Sequence, residues 1–213
     1  YPKGLVIATK GGFERPAPGQ WIENGRPEHL RAALEGSLRR LKLERIDLWQ
    51  LHRIDRKVPA EEQFDVLAEF VREGKVRHVG LSEVSIADIE RARAVVPIVS
   101  VQNRYNVVNR RWDDVVDFCH REGIAFIPWY PLGSGSLEKE AQGRRAPEGM
   151  ERVAQRLGAS PLQVAIAWLL ARSPAMLPIP GTSNPEHLEE NVRAAELRLS
   201  DHDLHELEHS GME

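Results

Sequence analysis

Six short apolar runs in this 213-residue chain lead into groups that can bind a ligand or move a proton. Lys10 follows LVIAT, His52 follows IDLWQL, and Ser82-Glu83 follow VRHVGL. Gln102-Asn103 close IVSVQ, Trp129-Tyr130 close IAFIPW, and Gly181-Thr182-Ser183 come after MLPI. A lysine so placed either snorkels to solvent or stands as a held cation that lowers the pKa of a neighbouring acid. A histidine there is either structural or a hydrogen-bond donor that polarises a carbonyl. Trp129 and Tyr130 carry rings into the turn Pro131-Leu132-Gly133-Ser134, where an aromatic stacks on a flat heterocycle or packs in a core. Thr182 and Ser183 precede Asn184-Pro185, which reads as a helix start. That arrangement suits a phosphate, and equally an ordinary capped helix. One polar strand end says little; six gain meaning if the fold brings them to one mouth.

The elements that must do so are legible as alternating patterns. The runs 5–9, 46–51, 76–81, 98–102, 124–129 and 176–179 read as strands, several apolar on successive residues as in parallel strands covered on both faces. Helices lie between them. Pro27 opens one with Leu30, Ala33, Leu34, Leu38 and Leu41 on one stripe. Phe64, Leu67, Phe70 and Val71 mark a second that stops by Gly74, and Ile86 and Ile89 a short third. Val115, Val116 and Cys119 mark a fourth, ended by Gly123. Ser160-Pro161, Asn184-Pro185 and Ser200 open three more, and 134–149 reads as a loop. Strand alternating with helix argues for a parallel α/β sheet. The G-x-G-x-x-G turn of a doubly wound nucleotide fold is absent after the first run, so a barrel fits better, with active groups at the carboxyl ends of its strands. A (β/α)₈ barrel needs eight units over ~250 residues; six are visible here, so 1–213 is expected to be one domain with the N-terminal portion of the barrel missing.

Composition narrows the class. The net charge of −3 gives no footprint for nucleic acid or an anionic membrane. No apolar run nears the ~18 residues of a membrane span, and no signal peptide is expected. The lone Cys119 excludes an internal disulfide framework and fits a reducing, cytoplasmic setting. His202, His205 and His209 share a helix face, but no chemistry accompanies them and no metal site is expected.

Segments 5–10, 46–52, 79–82, 101–102, 129–134 and 179–191 together resemble an aldo-keto reductase, in that family's order and spacing. The resemblance implies a (β/α)₈ barrel that reduces aldehydes and ketones with NADPH, or with NADH, bound without a Rossmann domain. It implies that Lys10 and His52 are the catalytic lysine and histidine. It assigns Ser82, Gln102 and, where many members have Asn, Glu83 to the nicotinamide carboxamide. Trp129 then stacks on the nicotinamide, and Pro131, Leu132, Gly133 and Ser134 cover the pyrophosphate. Thr182 and Ser183 stand by for a phosphate, and Glu190 and Asn191 for adenine. Gly181 and His187 stand where many members hold the 2′-phosphate with Lys and Arg. Phe13 and Trp21 would wall the pocket of a small carbonyl substrate. The family's catalytic Asp and Tyr belong to units not visible here, and none of Tyr1, Tyr105 and Tyr130 stands in the matching context. Two other readings of such a chain are a cofactor-binding regulatory subunit, as in potassium-channel β subunits, and an inactive remnant.

Overall fold

In the computed structural model, residues 1–133 and 147–209 are described. The chain divides into two compact units, Tyr1–Gln102 and Asn103–Glu213.

The first unit is a parallel α/β layer. Strands β1 (Ala8–Gly11), β4 (Ile46–Leu51), β5 (Val76–Ser82) and β6 (Ile98–Gln102) pair in that order, all parallel. Helices α1 (Pro27–Leu41), α2 (Ala60–Arg72) and α3 (Ile86–Arg93) connect them. The stripe read on α1 is buried at Leu30, Leu34 and Leu38, and that on α2 at Phe64, Leu67 and Phe70. Trp49 of β4 meets Phe70 edge-on at 5.4 Å, both rings buried. Gly74, at φ 72, follows α2 in a backbone region that suits glycine.

Register decides which side chains share a face. Lys10 pairs with Gln50, Gln50 with Gly80, and Gly80 with Ser100. Side chains alternate along a strand, so residues two further on share that face. His52, Ser82 and Gln102 are those residues. Gly80 leaves room for the buried Gln50 Nε2 to donate to Ser100 Oγ at 3.3 Å; a Cβ there would overlap that hydroxyl.

The first strand lies later than expected. Pairing begins at Ala8, and the main-chain N–H of Ile7 donates to the Asp47 carboxylate at 3.1 Å instead of to a strand carbonyl. Leu5 and Val6 are exposed. A two-residue hairpin, β2 (Phe13–Glu14) with β3 (Ile22–Glu23), follows β1; it is too short to show alternation in sequence.

The second unit is mostly helical. It holds α4 (Asp113–Glu122), β7 (Ala125–Phe126), α5 (Glu148–Leu157), α6 (Pro161–Arg172), α7 (Pro185–Arg193), a 3₁₀ turn (Ala194–Glu196) and α8 (Asp201–His209). Gly123 closes α4 at φ 65. Ser160 with Gln163 and Ser200 with Asp203 each form a reciprocal cap. Tyr105 stacks on Trp168 at 5.8 Å and meets the edge of Phe126, burying all three rings. Two expectations fail here. Residues 176–179 form no strand: Met176 bridges Phe126 once, and Pro178 and Pro180 lack the N–H that a ladder needs. Of the stretch 134–149 read as a loop, 134–146 lie outside the described residues, and Glu148 and Gly149 open α5, whose Met150, Val153 and Ala154 are buried at helical spacing.

Candidate active site

In the first unit the ends of four strands bring four of the expected side chains together. Lys10 Nζ donates to Gln102 Oε1 at 2.9 Å. Ser82 Oγ donates to the main-chain oxygen of Gln102 at 2.7 Å, and that oxygen also accepts from Glu83 N at 3.1 Å. The main-chain N–H of His52 donates to Gly11 O at 2.9 Å, fixing the residue after β4 against the end of β1. Ser82 and Gln102 are buried; Lys10 and His52 are half-buried.

Phe13 and Trp21, brought in by the hairpin, form an aromatic corner around His52. The ring of Phe13 stands edge-on to His52 at 4.7 Å, Trp21 lies 6.0 Å from it, and Phe13 and Trp21 meet at 5.4 Å. Arg15 stacks over Trp21 at 3.8 Å. Burial above all, then the charges of Arg53 and Lys10, hold His52 down at about 4. The imidazole is therefore neutral at physiological pH, with one N–H to donate. Burial also holds Lys10 below the usual lysine value.

Glu83 occupies the left-handed region at φ 55. Asn tolerates that backbone better than Glu, which gives a physical reason for an Asn at this place.

The hydrogen bonds leave defined valences. The Oε1 of Gln102 is engaged by Lys10, and its Nε2 has no partner among the described residues. Ser82 Oγ donates to Gln102 O and accepts from Arg53 Nη1 at 3.1 Å, leaving one lone pair. One amide donor beside one hydroxyl acceptor matches a primary carboxamide, which has one oxygen to accept and an NH₂ to donate. The residues present fit a nicotinamide.

Sequence reasoning passed over Arg53 and the loop that carries it. Asp55, buried, accepts from Gly25 N at 3.0 Å and Lys57 N at 2.9 Å. Burial alone would raise its pKa, but these bonds and the nearby Lys57 and Arg26 bring it below the usual carboxylate value. Gln63 clasps the same loop, accepting from Asp55 N and donating to Asp55 O and Val58 O. The loop borders a cleft of about 800 Å³ lined by charged groups that include Glu23, Arg53, Lys57, Glu83 and Arg91. The available signal was a polar run, RIDRK, directly after a candidate histidine.

In the second unit the expected residues fall in two places. Trp129 is half-buried; its main-chain N–H donates to Asn103 O at 3.1 Å, and its ring meets that of Tyr130 at 4.6 Å. Arg104 reaches over both rings. The turn is tight: Tyr130 lies at φ 56, Gly133 at φ 64, and Gly133 N donates to Tyr130 O at 2.9 Å. Pro131 and Gly133 are buried and Leu132 is half-buried; Ser134 lies outside the described residues. The other place is α7 and its approach. Gly181, Thr182, Ser183 and His187 are exposed, and Glu190 and Asn191 half-buried. Asn184 caps the helix, its side chain accepting from Glu186 N at 2.9 Å while its own N–H donates to Thr182 Oγ1. Glu190 O accepts from Gln163 Nε2 at 3.0 Å, tying α7 to α6.

Comparison with known proteins gives a consistent picture. The profile of the Aldo/keto reductase family matches residues 1–211. An uncharacterized oxidoreductase of Schizosaccharomyces pombe is 50% identical over 212 residues, covering 99% of this chain and 67% of that protein. The pyridoxine 4-dehydrogenase of Escherichia coli is 39% identical over 214 residues, covering 98% and 72%. Among solved structures, a thermostable aldo-keto reductase in complex with epalrestat aligns with a TM-score of 0.78 at 31% identity, over 87% of this chain and 67% of that one. The glycerol dehydrogenase of Gluconobacter oxydans aligns with a TM-score of 0.86 over 99% and 73%; at 23% identity it speaks to the fold alone.

Proposed function

Since the chain belongs to the aldo/keto reductase family, we propose that it reduces an aldehyde or ketone to the alcohol, with NADPH as the preferred cofactor and NADH as the second choice. The observation that carries this reading is the bonded set at the strand ends: Lys10 on Gln102, Ser82 on Gln102, and His52 beside them. Bound reduced nicotinamide would supply a hydride to the carbonyl carbon. Gln102 Nε2 and Ser82 Oγ would hold its carboxamide, with Glu83 beside them. Trp129, Pro131, Leu132 and Gly133, and Gly181, Thr182, Ser183, His187, Glu190 and Asn191, are proposed as further cofactor contacts.

His52, neutral, donates a ring N–H to the carbonyl oxygen and orients it. The proton for that oxygen would come from a tyrosine that is none of Tyr1, Tyr105 and Tyr130, and whose phenolate the charge of Lys10 would stabilise. Tyr1 and Tyr105 are not suited to this role. The Tyr1 hydroxyl donates to Leu41 O. The Tyr105 hydroxyl donates to Asp113, and burial pushes its pKa up.

The aromatic corner of Phe13 and Trp21 favours a flat substrate. Together with the likeness to a pyridoxine 4-dehydrogenase, this makes the 4-aldehyde of pyridoxine and its alcohol the substrate pair to test first. The test follows NADPH consumption by the purified protein with pyridoxal, and with 4-nitrobenzaldehyde as a generic aldehyde. Turnover of both, lost in Lys10→Met, supports the proposal. Cofactor binding without turnover of either aldehyde would refute it.

A further inference from the structure

We infer that Arg53 is a positioning residue for this reaction: one nitrogen of its guanidinium joins the main chain of His52 to the hydroxyl of Ser82, and so sets the histidine against the carboxamide-binding end of the site. The inference rests on the roles proposed above for His52 and Ser82.

Arg53 Nη1 donates to His52 O at 2.6 Å and to Ser82 Oγ at 3.1 Å. Ser82 Oγ in turn donates a hydrogen bond to Gln102 O, and the side chain of Gln102 meets Lys10. A continuous set of hydrogen bonds thus runs from the end of β4 through β5 and β6 to β1. Arg53 is the member that no ladder positions, since it lies beyond the paired residues of β4. Its fork is rigid and always charged, so it can hold two acceptors at fixed angles where a lysine would offer a single swivelling ammonium. Phe13 underlies it, with the guanidinium carbon 5.8 Å from the ring centre, and the same ring contacts His52. The charged groups acting on His52 are Arg53 from its own loop and Lys10 from β1, while the hairpin presents the uncharged rings of Phe13 and Trp21. Glu23 and Glu83 line the same cleft as Arg53. Arg53 thus acts on His52 in two ways, by fixing its main chain and by opposing its protonation.

The test compares Arg53→Gln and Arg53→Lys with the unaltered protein. Four quantities are measured: the titration midpoint of the His52 imidazole by NMR, the NADPH dissociation constant by fluorescence quenching, and kcat and KM for aldehyde reduction. In Arg53→Gln the midpoint should rise by about one unit, because a positive neighbour is removed. NADPH binding should weaken severalfold as Ser82 loses its restraint, and kcat should fall about tenfold or more with a smaller change in KM. Arg53→Lys should return the midpoint, because the charge is back, and recover only part of kcat. An unmoved midpoint and an unmoved NADPH constant in Arg53→Gln overturn the inference, even if kcat falls. Should the unaltered protein reduce no aldehyde, the functional reading fails, and the midpoint and NADPH constant still decide the case for Arg53.

Discussion

The ammonium of Lys10 settles the orientation of the Gln102 amide. A lysine can only donate, so the atom it meets at 2.9 Å is Oε1, and the NH₂ of that amide is directed elsewhere. Lys10 therefore has two tasks in the proposed site: its charge favours a phenolate, and its hydrogen bond presents Gln102 Nε2 as a donor to the carboxamide.

Lys10→Met should accordingly act on both steps. Loss of the cation should lower kcat by about 10²–10⁴, the range of acid–base assistance. Loss of the amide's restraint should also weaken NADPH by roughly 0.5–1.5 kcal/mol, the net worth of one hydrogen bond. Stopped-flow single turnovers separate the two from product release. A variant that keeps near-native turnover removes Lys10 from the chemistry.

His52 makes stability depend on pH in a stated direction. Its folded pKa lies at about 4, below the ordinary 6.5, chiefly through burial. Above the ordinary value neither state is protonated there, and the group contributes nothing to the slope. Between 6.5 and about 4 the unfolded chain takes up a proton that the folded one does not, so stability falls as pH falls through that window. His52→Gln should flatten this part of the Tm–pH curve. A curve of unchanged slope in the variant would show that His52 titrates normally.

The strand ends were legible because two signals coincide there: an apolar run and the polar residue that stops it. IDLWQL and IVSVQ form β4 and β6 at the expected bounds, and His52 and Gln102 fall where expected. The caps were legible for a similar reason, since Ser160-Pro161 and Ser200 with Asp203 carry the chemistry of a helix start in their side chains. What sequence could not show is contact made by a side chain that folds back. Arg53 follows a candidate histidine, and nothing in the sequence singles it out; only the register of β4 with β5 brings Ser82 within its reach. The hairpin carrying Phe13 was hidden by its length, and residues 176–179 misled because an apolar run interrupted by Pro178 still reads as apolar.

Cofactor choice can be shifted at the approach to α7. Gly181 is exposed, a Cβ there meets nothing within 4 Å, and His187 is exposed on the helix. Gly181→Lys with His187→Arg should fold normally and add two cations for a 2′-phosphate. One charge-assisted contact is worth roughly 1.5–3 kcal/mol, so the ratio of kcat/KM for NADPH over NADH should rise about tenfold or more. An unmoved ratio would show that α7 does not meet the adenosine end of the cofactor.

The last prediction concerns Gly80, which has no part in the proposed chemistry but shares a sheet face with the residues proposed for it. A Cβ on Gly80 would overlap Ser100 Oγ and come within 3.0 Å of Gln50 Cγ and Ser100 O. Both neighbours are buried and bonded to each other, so neither can yield without losing its partner in a place closed to water. Gly80→Ala should therefore cost about 1–3 kcal/mol, the usual range for overpacking a filled site. Because Gln50 pairs with Lys10 and Ser82 follows Gly80 by two residues, NADPH affinity should fall as well. Ser100→Gly removes the hydroxyl that obstructs the new methyl. The double variant should thus lose less stability than the two single losses added together, an interaction that urea unfolding of all four proteins measures directly. Additive losses would mean that the glycine is needed for its backbone and not for the space it leaves.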